Sequence, residues 1–130
     1  MNIIKSKIIT NTFTLNSAGA TVNYKNLGAQ TVGVSGNAGT LSYTNLILSG
    51  SGTKTLAAAT TVSAALTVKA GVTLANGGFA LGTPTSVTLE NGTTSSTISG
   101  SGLLTLGGNV TVNNISGTGT GALISCPVAL

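Results

Sequence analysis

Short apolar–polar–apolar triplets recur along the chain, and clusters of Gly, Asn and Ser separate them. Leu66-Thr67-Val68, Val72-Thr73-Leu74, Val87-Thr88-Leu89 and Val110-Thr111-Val112 are the clearest. An alternation of period two predicts short strands, with the ends of each triplet turned to one face and the middle residue to the other. No apolar pattern of helical period is long enough to predict a helix. Ala57-Ala58-Ala59 is the best helix nucleus, but the Thr60-Thr61-Val62 that follows it favours a strand.

The triplets repeat in blocks. Leu66-Thr67-Val68-Lys69-Ala70-Gly71 returns as Val87-Thr88-Leu89-Glu90-Asn91-Gly92 and, more loosely, as Val110-Thr111-Val112-Asn113-Asn114; Leu46-Ile47-Leu48-Ser49-Gly50 precedes it. The starts are roughly 20 to 23 residues apart, a period that predicts a solenoid in which each repeat is one coil. The predicted fold is all-β: a parallel β-helix of about five to six coils, with three short strands per coil. One domain spans 1–130, with 1–21 an irregular cap or degenerate coil and the repeats in 22–130.

Three strands complete each predicted coil. Leu46–Leu48 is followed by Lys54-Thr55-Leu56 and Thr60-Thr61-Val62; Leu66–Val68 by Val72-Thr73-Leu74 and Phe79-Ala80-Leu81; Val87–Leu89 by Ser96-Thr97-Ile98 and Leu104-Thr105-Leu106. Val110 opens a last coil that runs through Ala122-Leu123-Ile124. In this register Leu46, Leu66, Val87 and Val110 stack inside, as do Leu48, Val68, Leu89 and Val112. Thr67, Thr88 and Thr111 form one outward row; Thr55, Thr73 and Thr97 form another, with Ile47 and Ala80 interrupting. Lys69 falls beside Glu90 as an exposed pair. A second match, of Leu48-Ser49-Gly50-Ser51-Gly52 to Ile98-Ser99-Gly100-Ser101-Gly102, has an offset that two such coils do not give. Equivalent corners on different sides of a coil account for it.

Composition fits a thin core. Charged residues make up 5% of the chain and aromatic residues 3%, against a usual charged share of about 25%. The net charge of +4 comes from Lys5, Lys7, Lys25, Lys54 and Lys69 against Glu90. These lysines are scattered, which suits solubility and edge protection rather than a nucleic-acid surface. No run of apolar residues is long enough to span a bilayer, and the basic, apolar start lacks the continuous apolar region of a signal peptide. The lone Cys126 allows no internal disulfide, and reads as a small apolar filler or a link between chains.

The same scarcity excludes most site chemistry. With no His and one acid, the chain has neither a carboxylate pair nor a Ser-His-Asp triad. It lacks clustered metal ligands, and Ser51-Gly52-Thr53-Lys54 does not have the order of a phosphate-binding loop. The expectation is a protein that is not an enzyme and carries no cofactor or metal.

Gly28-Ala29-Gln30-Thr31-Val32, then 43–56 with its Ser-Gly-Ser-Gly-Thr-Lys-Thr-Leu core, then 66–78, resemble the repetitive stalk regions of very large bacterial surface proteins, especially adhesin-like proteins of the Bacteroidetes type. The resemblance covers roughly residues 28 to 115. It implies a parallel β-helix at the cell surface, with no catalytic residues.

The leading functional expectation is therefore a stalk, adhesin segment or fibre subunit. Its partner is itself, stacked head to tail or as a filament, or the continuation of a longer chain. The candidate end-to-end contacts are Ile3, Ile4, Ile8 and Ile9 at one end and Leu123, Ile124, Val128 and Leu130 at the other. Two other ligands fit less of the sequence. The outward threonines could meet ice, and Tyr24 and Tyr43 are the aromatic candidates for stacking on a surface glycan.

Overall fold

A computed structural model describes residues 13–15, 18–34, 39–116 and 121–130. The described residues are strands and turns with no helix, and every strand pairing is parallel. They wind into a β-solenoid of about four turns with three faces.

The first face stacks β2 (Thr21–Tyr24), the second half of β4 (Leu41–Leu48), the second half of β6 (Thr60–Val68), β9 (Ser86–Asn91) and β12 (Asn109–Asn114). The second face stacks β3 (Gln30–Val32), β5 (Gly52–Leu56), β7 (Val72–Ala75), β10 (Thr97–Ser99) and β13 (Leu123–Ser125). The third stacks β1 (Phe13–Leu15), the first halves of β4 and β6, β8 (Leu81–Gly82), β11 (Leu104–Thr105) and β14 (Val128–Ala129). Phe13–Leu15, expected in an irregular layer, is thus a regular rung. β4 and β6 each run from the third face to the first without a glycine corner, and their pairing shifts register between Tyr43 and Asn45. Thr21, Asn45, Ala65, Ser86 and Asn109 stand above one another, so successive coils take 24, 20, 21 and 23 residues.

The core is a set of side-chain columns. Val22, Leu46, Leu66, Val87 and Val110 form one; Tyr24, Leu48, Val68, Leu89 and Val112 form the next. These are the two inner ladders that the triplets predict. The third face adds Leu41, Thr60, Leu81, Leu104 and Val128. The two copies of the Ser-Gly-Ser-Gly corner lie on different sides of the coil: Leu48 ends a first-face strand, whereas Ile98 lies in a second-face strand.

On the second face the predicted register is two residues out. Lys54 pairs with Leu74 and Thr53 with Thr73, so Thr55 stands beside Ala75 and not in the row of Thr73 and Thr97. A slip of two preserves which side chains face inward, so hydrophobic alternation does not detect it. Phe79, expected to point inward, is exposed in the turn before β8, and Leu81 takes the inward position.

Polar side chains staple the corners. Asn76 is buried; its Nδ2 donates to Gly102 O at 2.7 Å, and its Oδ1 accepts from the N–H of Gly102 at 3.0 Å and of Gly78 at 3.1 Å. Gly100 has φ of 125°, and a Cβ there would run into Asn76 Oδ1. Asn91 repeats the device at another corner, donating to Asn114 Oδ1 at 2.8 Å and accepting from Gly121 N at 3.2 Å.

Candidate functional site

The first and last described rungs of the first face differ. On the lowest rung of the first face, Val22 and Tyr24 are buried, and Val32 is buried on the second face. On the uppermost rung the same inward columns are open. Val110 stands over Val87 and Val112 over Leu89, yet Val110 is 40% exposed and Val112 51%. Val128 continues the column of the buried Leu104 and is 48% exposed. These residues have the core's chemistry and, among the described residues, a strand partner on one side only.

No charged side chain occurs after Glu90. Ile115 and Leu130 are exposed beside the last described rung. Ile124 stands over Ile98 and packs partly against the core. Leu123 stands over Thr97, so it projects outward. Of the expected C-terminal contacts, Ile124 and Val128 face the open interior, while Leu123 and Leu130 lie on the rim. Ile3, Ile4, Ile8 and Ile9 lie outside the described residues. Cys126 is half-buried against the core at the open end, and burial raises its thiol pKa.

The outward surface carries two threonine rows. Thr67, Thr88 and Thr111 align as expected, with Ile47 below them. On the second face Thr53, Thr73 and Thr97 align. Thr31, Thr55, Ala75 and Ser99 form the parallel column beside them. Thr53 has the same type and alternation as its neighbours; sequence reasoning missed it because Leu56 was the more obvious match for Leu74.

Both tyrosines are interior. Their hydroxyls are hydrogen-bonded at 2.9 Å, and the Tyr24 hydroxyl also accepts from Gly33 N–H at 2.9 Å. Burial raises both phenol pKa values. Neither ring is available to stack on a sugar, which corrects the expectation that they form a glycan platform.

Lys54 is the largest departure from the expected surface role of the lysines. Its side chain is fully buried in the column of Leu74 and Ile98. The ammonium reaches a corner and donates to three backbone carbonyls: Asn26 O at 2.6 Å, Gly28 O at 2.8 Å and Ser51 O at 2.9 Å. Burial lowers its pKa, while the three carbonyl dipoles oppose loss of the charge. The group is therefore a tie between two coils. It is not an accessible nucleophile. Among the described residues no three His, Cys, Asp or Glu side chains converge as a metal site, and no helix is long and apolar enough to cross a membrane.

Compared with protein-family models, curated proteins and solved structures, the chain has no match.

Proposed function

We propose that this protein is a non-enzymatic structural module of an extracellular bacterial surface protein: a stalk or adhesin segment, or a fibre subunit, that stacks through its ends. Counting the N-terminal layer, the rod has about five to six coils. The observation that carries the reading is the exposed uppermost rung, where Val110, Val112 and Val128 continue buried columns and no described residue stands above them. A solenoid end with free backbone groups and apolar side chains binds another β-rung unless it is capped. Its occupant is the continuation of a longer chain or another copy. The lack of acid–base and metal-ligating groups supports a mechanical role over a catalytic one. The resemblance to surface-protein stalks supports the cell-surface setting.

Electron microscopy of the purified chain tests this, with end-joined rods expected. Separate particles of single-chain length at high concentration would refute stacking between copies.

A second reading, ice binding, is favoured by one observation. The second face presents two adjacent outward columns of small residues, Thr53, Thr73 and Thr97 beside Thr31, Thr55, Ala75 and Ser99. They form a grid of about 4.8 Å between rungs and about 6.7 Å along each strand. Thermal hysteresis that is lost in Thr73→Arg would support it; no hysteresis in the wild type would end it.

A further inference from the structure

We infer that the corner between residues 26–28 and 50–52 is a binding site for a small monovalent cation, and that Lys54 is the cation the chain itself supplies to it.

Lys54 Nζ lies among three carbonyl oxygens, Asn26 O at 2.6 Å, Gly28 O at 2.8 Å and Ser51 O at 2.9 Å. Two belong to the corner between β2 and β3, and the third to the matching corner one coil up, between β4 and β5. Contacts that do not involve the lysine hold these corners together. Gly28 N–H donates to Ser51 Oγ at 3.2 Å, from one coil to the next. Gly52 N–H donates to Gly71 O at 3.2 Å, which fixes the upper corner to the coil above. β3 and β5 then continue as a parallel ladder, with Gln30 on Lys54 and Val32 on Leu56. The corner is also tightly closed. A Cβ at Gly50 would run into Asn26 O, and one at Gly52 into the backbone of Gly28. The three oxygens therefore converge on one spot with or without the lysine head group.

That spot suits an ammonium better than a water molecule. Three acceptors meet there; a water donates two hydrogen bonds, and an ammonium donates three. The acceptors are neutral. Glu90, the one acid in the chain, is paired with Lys69, so no carboxylate compensates the charge of Lys54. Carbonyl oxygens alone replace the hydration shell of monovalent ions, whereas calcium and magnesium sites draw on carboxylates. The same inward column holds Gln30 below Lys54, and Leu74, Ile98 and Ile124 above it. Lys54 is the one charged group in that column, and it stands where the carbonyls converge.

Lys54→Met keeps the apolar stem and removes the ammonium, which opens the cage to a cation from solution. Thermal unfolding of the full chain in ammonium chloride and in tetramethylammonium chloride, at equal concentration, reads its occupation, because tetramethylammonium has no N–H to donate. The variant should unfold about 2–5 °C higher in ammonium, and the wild type should show no difference between the two salts. Equal midpoints for the variant in both salts would overturn the cation site and leave Lys54 to act through its stem. Lys54→Arg keeps the positive charge but presents a planar fork. It should be less stable than the wild type, and wild-type stability in this variant would overturn the three-carbonyl fit. Should Lys54→Met not fold, the wild type decides. Its Lys54 ammonium should give a nitrogen–proton NMR signal that persists at neutral pH, where the hydrogens of exposed lysines exchange with water. The absence of any persisting ammonium signal would overturn the cage.

Discussion

The hydroxyls of Tyr24 and Tyr43 lie 2.9 Å apart inside the solenoid, with the two rings edge to face at 88° and centroids 6.3 Å apart. They are the only tyrosines in the chain. Both phenols are buried, and burial raises both pKa values above the ordinary tyrosine value of about 10. In the unfolded chain the phenols ionise near 10, while in the folded chain they hold their protons to higher pH. The folded state therefore binds more protons above pH 10. Stability is full below that pH and falls as pH rises through it, by about 1.4 kcal/mol per unit for each phenol. A pH titration of phenolate absorbance should show no tyrosine ionising before the β circular dichroism signal is lost. Ionisation in the folded protein near pH 10 would contradict the buried pair.

The same pair predicts unequal variants. Tyr24→Phe removes the acceptor of Gly33 N–H as well as the bond to Tyr43. It should cost about 1–3 kcal/mol, the usual range for stranding a buried donor. Tyr43→Phe leaves the Gly33 bond in place and should cost about 1 kcal/mol. Urea unfolding of the two variants gives the comparison.

Lys69 and Glu90 are ion-paired at 2.5 Å between neighbouring coils. The sequence register predicts this pair as an exposed one, but Glu90 is nearly buried while Lys69 remains substantially exposed. Losing the lysine strands a carboxylate that water reaches poorly; losing the carboxylate frees an ammonium that water can solvate. Lys69→Met should therefore cost about 1–3 kcal/mol, and Glu90→Gln below about 1 kcal/mol. Equal costs in denaturant unfolding would mean that Glu90 is well hydrated.

Lys54→Met sets two effects against each other. A buried apolar side chain contributes about 1.5–3 kcal/mol, and the lysine stem already supplies much of that apolar contact. Three carbonyls that lose their donor cost about 1–3 kcal/mol each when buried. Asn26 is exposed, so water can replace part of that loss. The expected net change is a destabilisation of about 2 kcal/mol, with hydrogen exchange accelerated first around residues 26–28. A variant as stable as wild type would show that the carbonyl cage contributes nothing.

Ser96 is fully buried one residue before β10, and its hydroxyl lacks a hydrogen-bond partner. Ser96→Ala should stabilise the fold by about 0.5–1 kcal/mol, because an orphaned polar group is removed and little volume is lost. A loss of stability by thermal unfolding would show that the hydroxyl has a partner such as a bound water.

Much of the fold was legible because the relevant signals are local. The alternation in Leu66-Thr67-Val68 assigns inside and outside, and its return at Val87 and Val110 gives the coil length and the pairing of Lys69 with Glu90. The second face was less legible. Lys54 occupies a core column that the pattern assigns to an apolar residue, and it can do so because its stem spans the core to carbonyls supplied by another coil. Thr55 was placed in the wrong row for the same reason: a shift of two residues leaves the alternation unchanged, and only the hydrogen-bonded ladder distinguishes the two registers.

The sequence by itself determined an all-β parallel solenoid, its three strands per coil and the inner ladders of the first face. These follow from a side-chain period of two, a repeat of roughly 20 to 23 residues and composition. The tertiary structure alone decided that Tyr24 and Tyr43 are interior, that Lys54 is a tie between coils, and that Val110, Val112 and Val128 are exposed while Val22, Tyr24 and Val32 are buried. Val22 and Val110 are the same residue type in the same column. Val22 is buried and Val110 is 40% exposed, because residue type and alternation set the column and the surrounding packing sets the burial.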